Sequence, residues 1–490
     1  MDQRGGGVTQ LVPIMLFGWV PLVAVLFATL RPRLAVVVGL VLGWTILPNA
    51  GFELPGLPDY TKQSAISFGL LLGTMIFAPQ RLSAVRFKAV DAPMAVWCLA
   101  PLASSLANGL GVYDGLASVL DQLVAWGLPY LLGRVHVTSG RDARDLALGV
   151  LVSAVLYMPL IWVELRLSPM MHHWVYGFLA RDWGAMRYGG WRPRVFFEGG
   201  LALGIWMMAA SLIGVWVAYA DKRRRIFGVP LLPILPVLLV TTVLVKTTLA
   251  IMLLAVGLGV LAVTKWTGRR WPIYALLLIP LLYCGARTAG VWAGEPLVGV
   301  AETVFGAGRA QSLEFRFDNE DVLVERALQR PILGWGGWGR NHVFTEDGYQ
   351  LTVVDGMWVI ALGEHGLVGL IAWLGALLTP VAVLLRRLPP RALTAPGMAS
   401  VAGFLVIVTL YAIDCLLNAM VNPIFIFVCG GLASLAVEPD LARAVSPSPR
   451  PLKNPRRRAG GPVATPRASR VPGPAAFQPP NPDTTHDHPR

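Results

Sequence analysis

The chain has 490 residues, a formal charge of +13, and 55% hydrophobic against 14% charged residues, giving a mean hydropathy of +0.59. These proportions exclude an ordinary soluble domain. The charges sit in short clusters between apolar runs and in the tail, not as a basic stripe on a soluble fold, which excludes nucleic acid as the expected partner.

The apolar runs are roughly 17–25 residues long, enough to cross about 30 Å of hydrocarbon. In chain order they predict spans near 11–30, 34–50, 64–79, 90–108, 116–134, 146–165, 198–220, 229–245, 247–263, 272–291, 366–385, 397–417 and 420–438. The first run, Leu11–Leu30, is followed by Arg31-Pro32-Arg33 and not by a small-residue cleavage site, so it reads as a span and not as a signal peptide. Lys246 interrupts a continuous apolar stretch, so 229–263 reads as two short helices meeting at a turn. The expected fold class is an all-α polytopic membrane protein with about 12–13 transmembrane helices spanning 1–438. A basic, Pro-rich tail over 439–490 has too few large apolar residues to offset its ordering entropy, and is expected to be disordered and cytoplasmic.

Loop charges alternate. Arg31/Arg33, Arg81/Arg86/Lys88, Arg134/Arg141/Arg144, Lys222 to Arg225, Lys265/Arg269/Arg270 and Arg386/Arg387/Arg391 share one side with the tail. The excess of Lys and Arg assigns that side to the cytoplasm of a bacterial inner membrane. The opposite side receives 49–63, 109–115, 166–197, Lys246, 292–365 and the turn around Asn418–Pro423. The four cysteines, Cys98, Cys284, Cys415 and Cys429, fall inside spans without metal-ligand spacing and read as small hydrophobes.

Two loops on the outer side carry arginines that the positive-inside tendency does not account for. The first, 166–197, holds Arg166, Arg181, Arg187, Arg192 and Arg194 with Trp174, Tyr176, Trp183, Tyr188 and Trp191. Its middle, PMMHHWVYGFLARDW, reads as a short interfacial helix. The second, 292–365, holds Arg309, Arg316, Arg326, Arg330 and Arg340. Within it, 318–330 reads as a helix capped by Asp318 or Asn319 and ended by Pro331, with Arg326 and Arg330 on one face. A guanidinium is a planar fork of donors that stays charged, so the two loops together suit a lipid-linked diphosphate. The competing reading is that the arginines are solvated, or paired with Glu314, Asp318, Glu320, Asp321 and Glu325.

The glycine run after that helix, RPILGWGGWGRN (330–341), frees the backbone for tight turns. Trp335 and Trp338 there suit stacking on sugar faces or anchoring at the interface. Asp355 and Glu364 then bracket a short apolar helix that dips into the membrane, where an ionisable residue is a functional candidate. Asp355, His342 and Glu198 are the candidates for a general base; helix N-capping competes for Asp355, and a structural role at the Gly366 bend for Glu364 and His365.

An arginine-bearing loop entering a span (WRPRVFFEGG, 191–200), a polar break (VKTTLAI, 245–251), then a long loop with P-x-x-G-x-G (331–336) and E-x-G-L-x-G (364–369) resemble the O-antigen ligase and O-antigen polymerase superfamily. The resemblance spans roughly 60–438, with only 316–369 motif-like. It implies a C-type glycosyltransferase-like bundle with a large periplasmic loop. It also implies a metal-independent glycosyltransferase, without cofactor, that takes a glycan from undecaprenyl diphosphate to an acceptor glycan or glycolipid in cell-surface polysaccharide assembly. By the same resemblance Arg192 or Arg194, with Arg316, Arg326 or Arg330, would hold the diphosphate. Two positions depart from the family pattern. Asp355-Gly356 stands where ligases carry a histidine and a small polar residue, and Lys246-Thr247-Thr248 where a serine-arginine pair is usual. A polymerase or a divergent exopolysaccharide enzyme fits these departures better than a lipid A-core ligase. The other function classes left open are a saccharide transporter or flippase, which would be expected to show internal repeats, and a non-catalytic envelope assembly subunit.

Overall fold

A computed structural model describes residues 9–54, 57–180, 186–389, 392–393 and 395–439. Arg181, Trp183, Arg391 and the tail from 440 lie outside the described residues. Of the described residues, 74% are helical. Among the described residues nine helices are long and apolar enough to cross a membrane, and four shorter apolar helices accompany them. Together they fall on the thirteen expected runs.

The chain begins with α1 (Leu11–Thr29), α2 (Pro32–Ile46) and α3 (Lys62–Phe77). After the single turn α4 (Pro79–Ser83) come α5 (Ala92–Ala107), α6 (Val112–Gln122) and α7 (Leu128–His136), the last two joined by a π-helical turn. The long α8 (Gly140–Leu167) leads to α9 (Met171–Tyr176). The expected interfacial helix is thus only six residues long, because Gly177 takes a left-handed conformation and caps it.

The polar break falls where Lys246 predicted it, between α11 (Leu231–Leu244) and α12 (Thr248–Thr267), with Lys246 itself left-handed at φ +59°. α10 (Gly200–Ala220) and α17 (Ala399–Leu417) are the central helices, 89% buried over their apolar windows, against 28% for α1 and 33% for α12. Large apolar side chains such as Ile14, Val25, Leu282 and Ile371 stay exposed on outer faces. On a water-soluble fold such a belt would be an aggregation hazard; in a bilayer it is the lipid-facing surface.

Helix pairs meet closely where glycine removes the side chain. α7 packs on α18 (Pro423–Val437). A Cβ on Gly133 would run into the Phe427 carbonyl, and one on Gly430 into the Tyr130 carbonyl, so the two backbones touch. A buried pair seals one end of this contact. Asp91 takes Arg134 Nε at 2.9 Å and Nη2 at 3.2 Å, and the Tyr130 hydroxyl donates to the same carboxylate at 2.8 Å.

The region 292–356 differs from expectation in one respect. The arginine helix is α15 (Ala307–Leu328), eleven residues longer at its N-terminus than the segment from 318, and preceded by α13 (Trp271–Thr288) and α14 (Glu295–Phe305). Asp318 and Asn319 are therefore internal and cap nothing. Asn319 instead bonds Phe315 O and, through Oδ1, accepts from Val353 N at 2.8 Å. The helix does end before Pro331. The segment after Asp355 forms α16 (Met357–Arg387), bent at Gly366, where φ +64° and ψ −160° break the helix. The short dipping helix is thus 357–365, followed by the long limb.

The glycine run is the bed for that bend. Trp335 N donates to Gly363 O at 2.9 Å, Gly336 N to Glu364 O at 2.9 Å, and Leu367 N to Pro331 O at 2.7 Å. A Cβ on Gly334 would overlap the Glu364 backbone, and one on Gly366 would overlap Ile332. The run serves close backbone packing, the architectural role. His365 is buried at the bend, its Nδ1 3.2 Å from Ser104 Oγ, and the Glu364 side chain beside it is 13% exposed.

Candidate functional site

The site is built from loops that enter helices at one end of the bundle. Thr61 and Ser64 form a capping box at the start of α3, which fixes Lys62 in the first turn. Lys62 is 5% exposed; its Nζ donates to Asn49 Oδ1 at 3.3 Å and Phe196 O at 3.0 Å, and lies 4.8 Å from the Trp44 ring centre. Asn49 Nδ2 donates to the same Phe196 carbonyl at 2.9 Å. The Asn49 amide donates to Nε2 of His172, whose Nδ1 faces Phe178 O at 2.9 Å. Burial lowers the His172 pKa to about 4, so the ring is a neutral structural strut near neutral pH.

The arginine loop 186–199 is anchored from below by Glu164. One oxygen of that carboxylate accepts from Arg194 N and Val195 N, both at 2.8 Å, and the other from Met171 N at 2.9 Å. This holds Val195 at φ +53°, a conformation that a β-branched residue adopts only under constraint. Arg192 and Arg194 are both 8% exposed. Arg192 Nη2 donates to Thr247 Oγ1 at 3.0 Å, and Thr247 Oγ1 donates to Gly200 O at 2.6 Å, so the polar break between α11 and α12 locks Arg192 in place. Tyr188, at the tip of the hairpin formed by β1 (Met186–Arg187) and β2 (Gly190–Trp191), pairs its hydroxyl with Thr248 at 2.6 Å. Its ring sits 5.1 Å from the Arg309 guanidinium.

Arg187, Arg192, Arg309 and Arg316 gather here. Burial first, then the charges of Arg187, Arg309 and Arg316, lowers the Arg192 pKa to about 9. A set of crowded guanidiniums is a site whose strain an anion would relieve. Arg316 Nε lies 3.3 Å from Asp355 Oδ2, and its Nη1 donates to Leu417 O at 2.7 Å. Asp355 in turn lines a cavity of about 630 Å³ together with Glu198, Lys62, Asn49, Trp44 and Asn418. Asp355 thus stands between a cluster of positive charge and a polar cavity.

The structure divides the expected set of site residues. Asp355 and Glu198 share the large cavity, and Arg192 and Arg316 the cluster beside it. His342 does not join them; it lines a separate cavity of about 440 Å³ with Glu325, Arg326, Gln329 and Phe344. Arg326 and Arg330 are also apart from the Arg192 cluster: their guanidiniums lie 3.5 and 4.7 Å from the Trp335 ring centre. Ten residues of α15 separate Arg316 from Arg326, about 15 Å along the axis. Trp335 accordingly has its ring taken by two guanidiniums, whereas Trp338 is 73% exposed.

The acidic partners differ as well. Glu320 and Asp321 bind Arg287 at 3.3 and 2.9 Å, not a loop arginine. Lys62, Asn49 and Glu164 were not singled out in the sequence. Glu164 and Lys62 carried a signal nonetheless, since an ionisable residue at the edge of an apolar run is a functional candidate. Nothing in the spacing indicated that either would bond the 194–196 backbone. No protein-family model matches the chain and no curated protein matches it, so the reading of the site rests on its own geometry.

Proposed function

We propose that the protein is a metal-independent membrane glycosyltransferase that transfers or polymerises a glycan from undecaprenyl diphosphate at the periplasmic face. The observation that carries this reading is the position of Asp355, beside Arg316 at 3.3 Å on one side and lining a cavity of about 630 Å³ on the other. In this reading the diphosphate lies against Arg192 and Arg316, with Arg187 and Arg309 adding field, and the saccharide occupies the polar cavity. Asp355 accepts the proton of the acceptor hydroxyl as that oxygen attacks the anomeric carbon. The arginines take up the charge that develops on the departing diphosphate, the point at which preorganised electrostatics contributes most. Glu198 lines the same cavity and is the second candidate for the base. His342 lines another cavity and is not assigned that role.

The test is reconstitution in liposomes with undecaprenyl-diphosphate-linked glycan and EDTA, followed by mass spectrometry. Free undecaprenyl diphosphate with lengthened or transferred glycan is expected, and loss of both in Asp355→Ala. Longer lipid-linked chains identify a polymerase, and glycan on a second acceptor identifies a ligase. Absence of product across donors and acceptors would remove the proposal. A second expectation needs no donor. Inorganic pyrophosphate should raise the thermal midpoint of the wild type, because a ligand bound only by the folded state stabilises it. It should do so much less in an Arg309→Gln variant.

A further inference from the structure

Arg326, Arg330, Trp335 and His342 are left without a part in that reading, yet they are arranged with care. The Trp335 indole is fixed from two directions: Nε1 donates to Arg326 O at 2.8 Å, and the backbone amide to Gly363 O at 2.9 Å. Arg326 lies on its ring at 3.5 Å and donates from Nη1 to Gln329 Oε1 at 2.8 Å. Its Nε is buried with no hydrogen-bond partner among the described residues. Arg330 lies 4.7 Å from the same ring centre and bonds the Asn108 side chain. Arg340 Nε donates to the Trp335 carbonyl at 3.2 Å. Two guanidiniums therefore lie on one immobilised indole and a third bonds its backbone carbonyl, against the single carboxylate of Glu325 in the adjoining cavity. Like charges held this way repel one another, and Arg330 contributes, after burial, to lowering the Arg326 pKa.

The surroundings are aromatic and open. Trp338 is 73%, Phe344 51% and Tyr349 74% exposed, and the His342 ring touches two of them, at 5.8 Å from Trp338 and 6.4 Å from Phe344. Flat apolar faces next to planar polar groups suit the mixed surface of a sugar ring, while stacked guanidiniums suit a carboxylate held bidentately. The separation of about 15 Å from Arg316 along α15 is more than one diphosphate can bridge.

We propose that Arg326, Arg330 and Arg340, arrayed around Trp335 beside the His342 cavity, form a second subsite that binds an acidic saccharide, the acceptor end of the glycan. Because the guanidiniums are stacked before the ligand arrives, little side-chain freedom is lost on binding. The identification of the occupant as the acceptor rests on the glycosyltransferase reading, but the binding test requires no transfer.

The experiment uses the full chain in neutral-lipid nanodiscs, titrated calorimetrically with tetragalacturonate, maltotetraose and inorganic pyrophosphate. Tetragalacturonate is expected to bind. Its affinity should fall about ten-fold or more in Arg326→Ala, in line with loss of a charge-assisted bond, and also in Arg330→Ala, at an exposed position. Arg316→Ala should leave this affinity unchanged. No binding of tetragalacturonate, or binding indifferent to both substitutions, would overturn the proposal. Equal affinity for maltotetraose would overturn its acidic part, and displacement by pyrophosphate alone its saccharide part. Loss of transfer in Arg316→Ala with tetragalacturonate binding intact supports both readings. Absent transfer in the wild type with binding intact would remove the first and keep the second.

Discussion

Arg316→Ala is expected to lower glycan transfer by about two to three orders of magnitude, the usual consequence of removing one preorganised donor from a developing oxyanion. The size of the effect follows from what this one side chain joins. Its Nε faces Asp355 at 3.3 Å, its Nη1 ties the end of α17 through Leu417 O, and its charge belongs to the cluster that depresses Arg192. In the proposed reaction, removing it withdraws charge from the leaving group and leaves the candidate base without its partner. Arg316→Lys should restore only part of the rate, because an ammonium is a point charge and cannot hold the carboxylate and the carbonyl together in the geometry of a fork. The control is Arg326→Ala, a loss of equal charge on the same helix, which should leave pyrophosphate stabilisation as in the wild type. The measurement is single-turnover release of undecaprenyl diphosphate. Equal rates for wild type and Arg316→Ala would remove Arg316 and Asp355 from the mechanism.

The second large effect concerns the fold that carries this site. Arg287→Ala is expected to destabilise the protein by about 3–5 kcal/mol, as breaking a buried ion pair from one side does. The Arg287 side chain is fully buried at the end of α13. It binds Glu320 at 3.3 Å and Asp321 at 2.9 Å, donates to Phe317 O at 2.8 Å and Trp292 O at 3.3 Å, and packs on the Phe317 ring. Glu320 links onward by accepting from Tyr283 at 2.7 Å and from Trp358 Nε1 at 3.3 Å. One arginine thereby fastens α13 to α15 and, through Glu320, to the start of α16. Thermal unfolding in detergent micelles reads the loss, with membrane insertion as the control.

The same network predicts a pH dependence. Burial, only partly offset by Tyr283 and Arg287, holds the Glu320 pKa up at about 7. For a carboxyl raised in the folded state, the contribution to stability is full below the ordinary carboxylate value near 4.5 and is lost as the pH rises through about 7. Wild-type stability should therefore decline across that window. Glu320→Gln, which keeps a hydrogen-bonding side chain without the titration, should flatten the profile; an unchanged slope would show that the group does not titrate there.

The helical spans and their breaks were legible in the sequence because each is a one-dimensional property. An apolar run of spanning length must satisfy its own backbone in lipid, and only a helix does so. Lys246 marked the break between α11 and α12, Pro331 the limit of α15 and Gly366 the bend of α16, each through local backbone chemistry. The start of α15 was misplaced because an Asp-Asn pair is a good cap in isolation, whereas Asn319 is claimed instead by the distant Val353 amide.

The sequence also marked arginine as the chemistry of both loops, since a charge that violates the topology tendency must be explained. What it did not determine is which arginines act together. Arg192 and Arg316 lie 124 positions apart and share one cluster of charge, with Arg316 paired to Asp355, while Arg326, ten positions from Arg316, lines the His342 cavity. Spacing along a chain fixes only neighbours on one helix. The meeting of loops is decided by which buried groups need partners: Glu164 drawing the 194–195 amides, Thr247 drawing Arg192, and Trp335 drawing Arg326 and Arg330. A polar group taken out of water must find its complement wherever the fold brings one, and that search is three-dimensional.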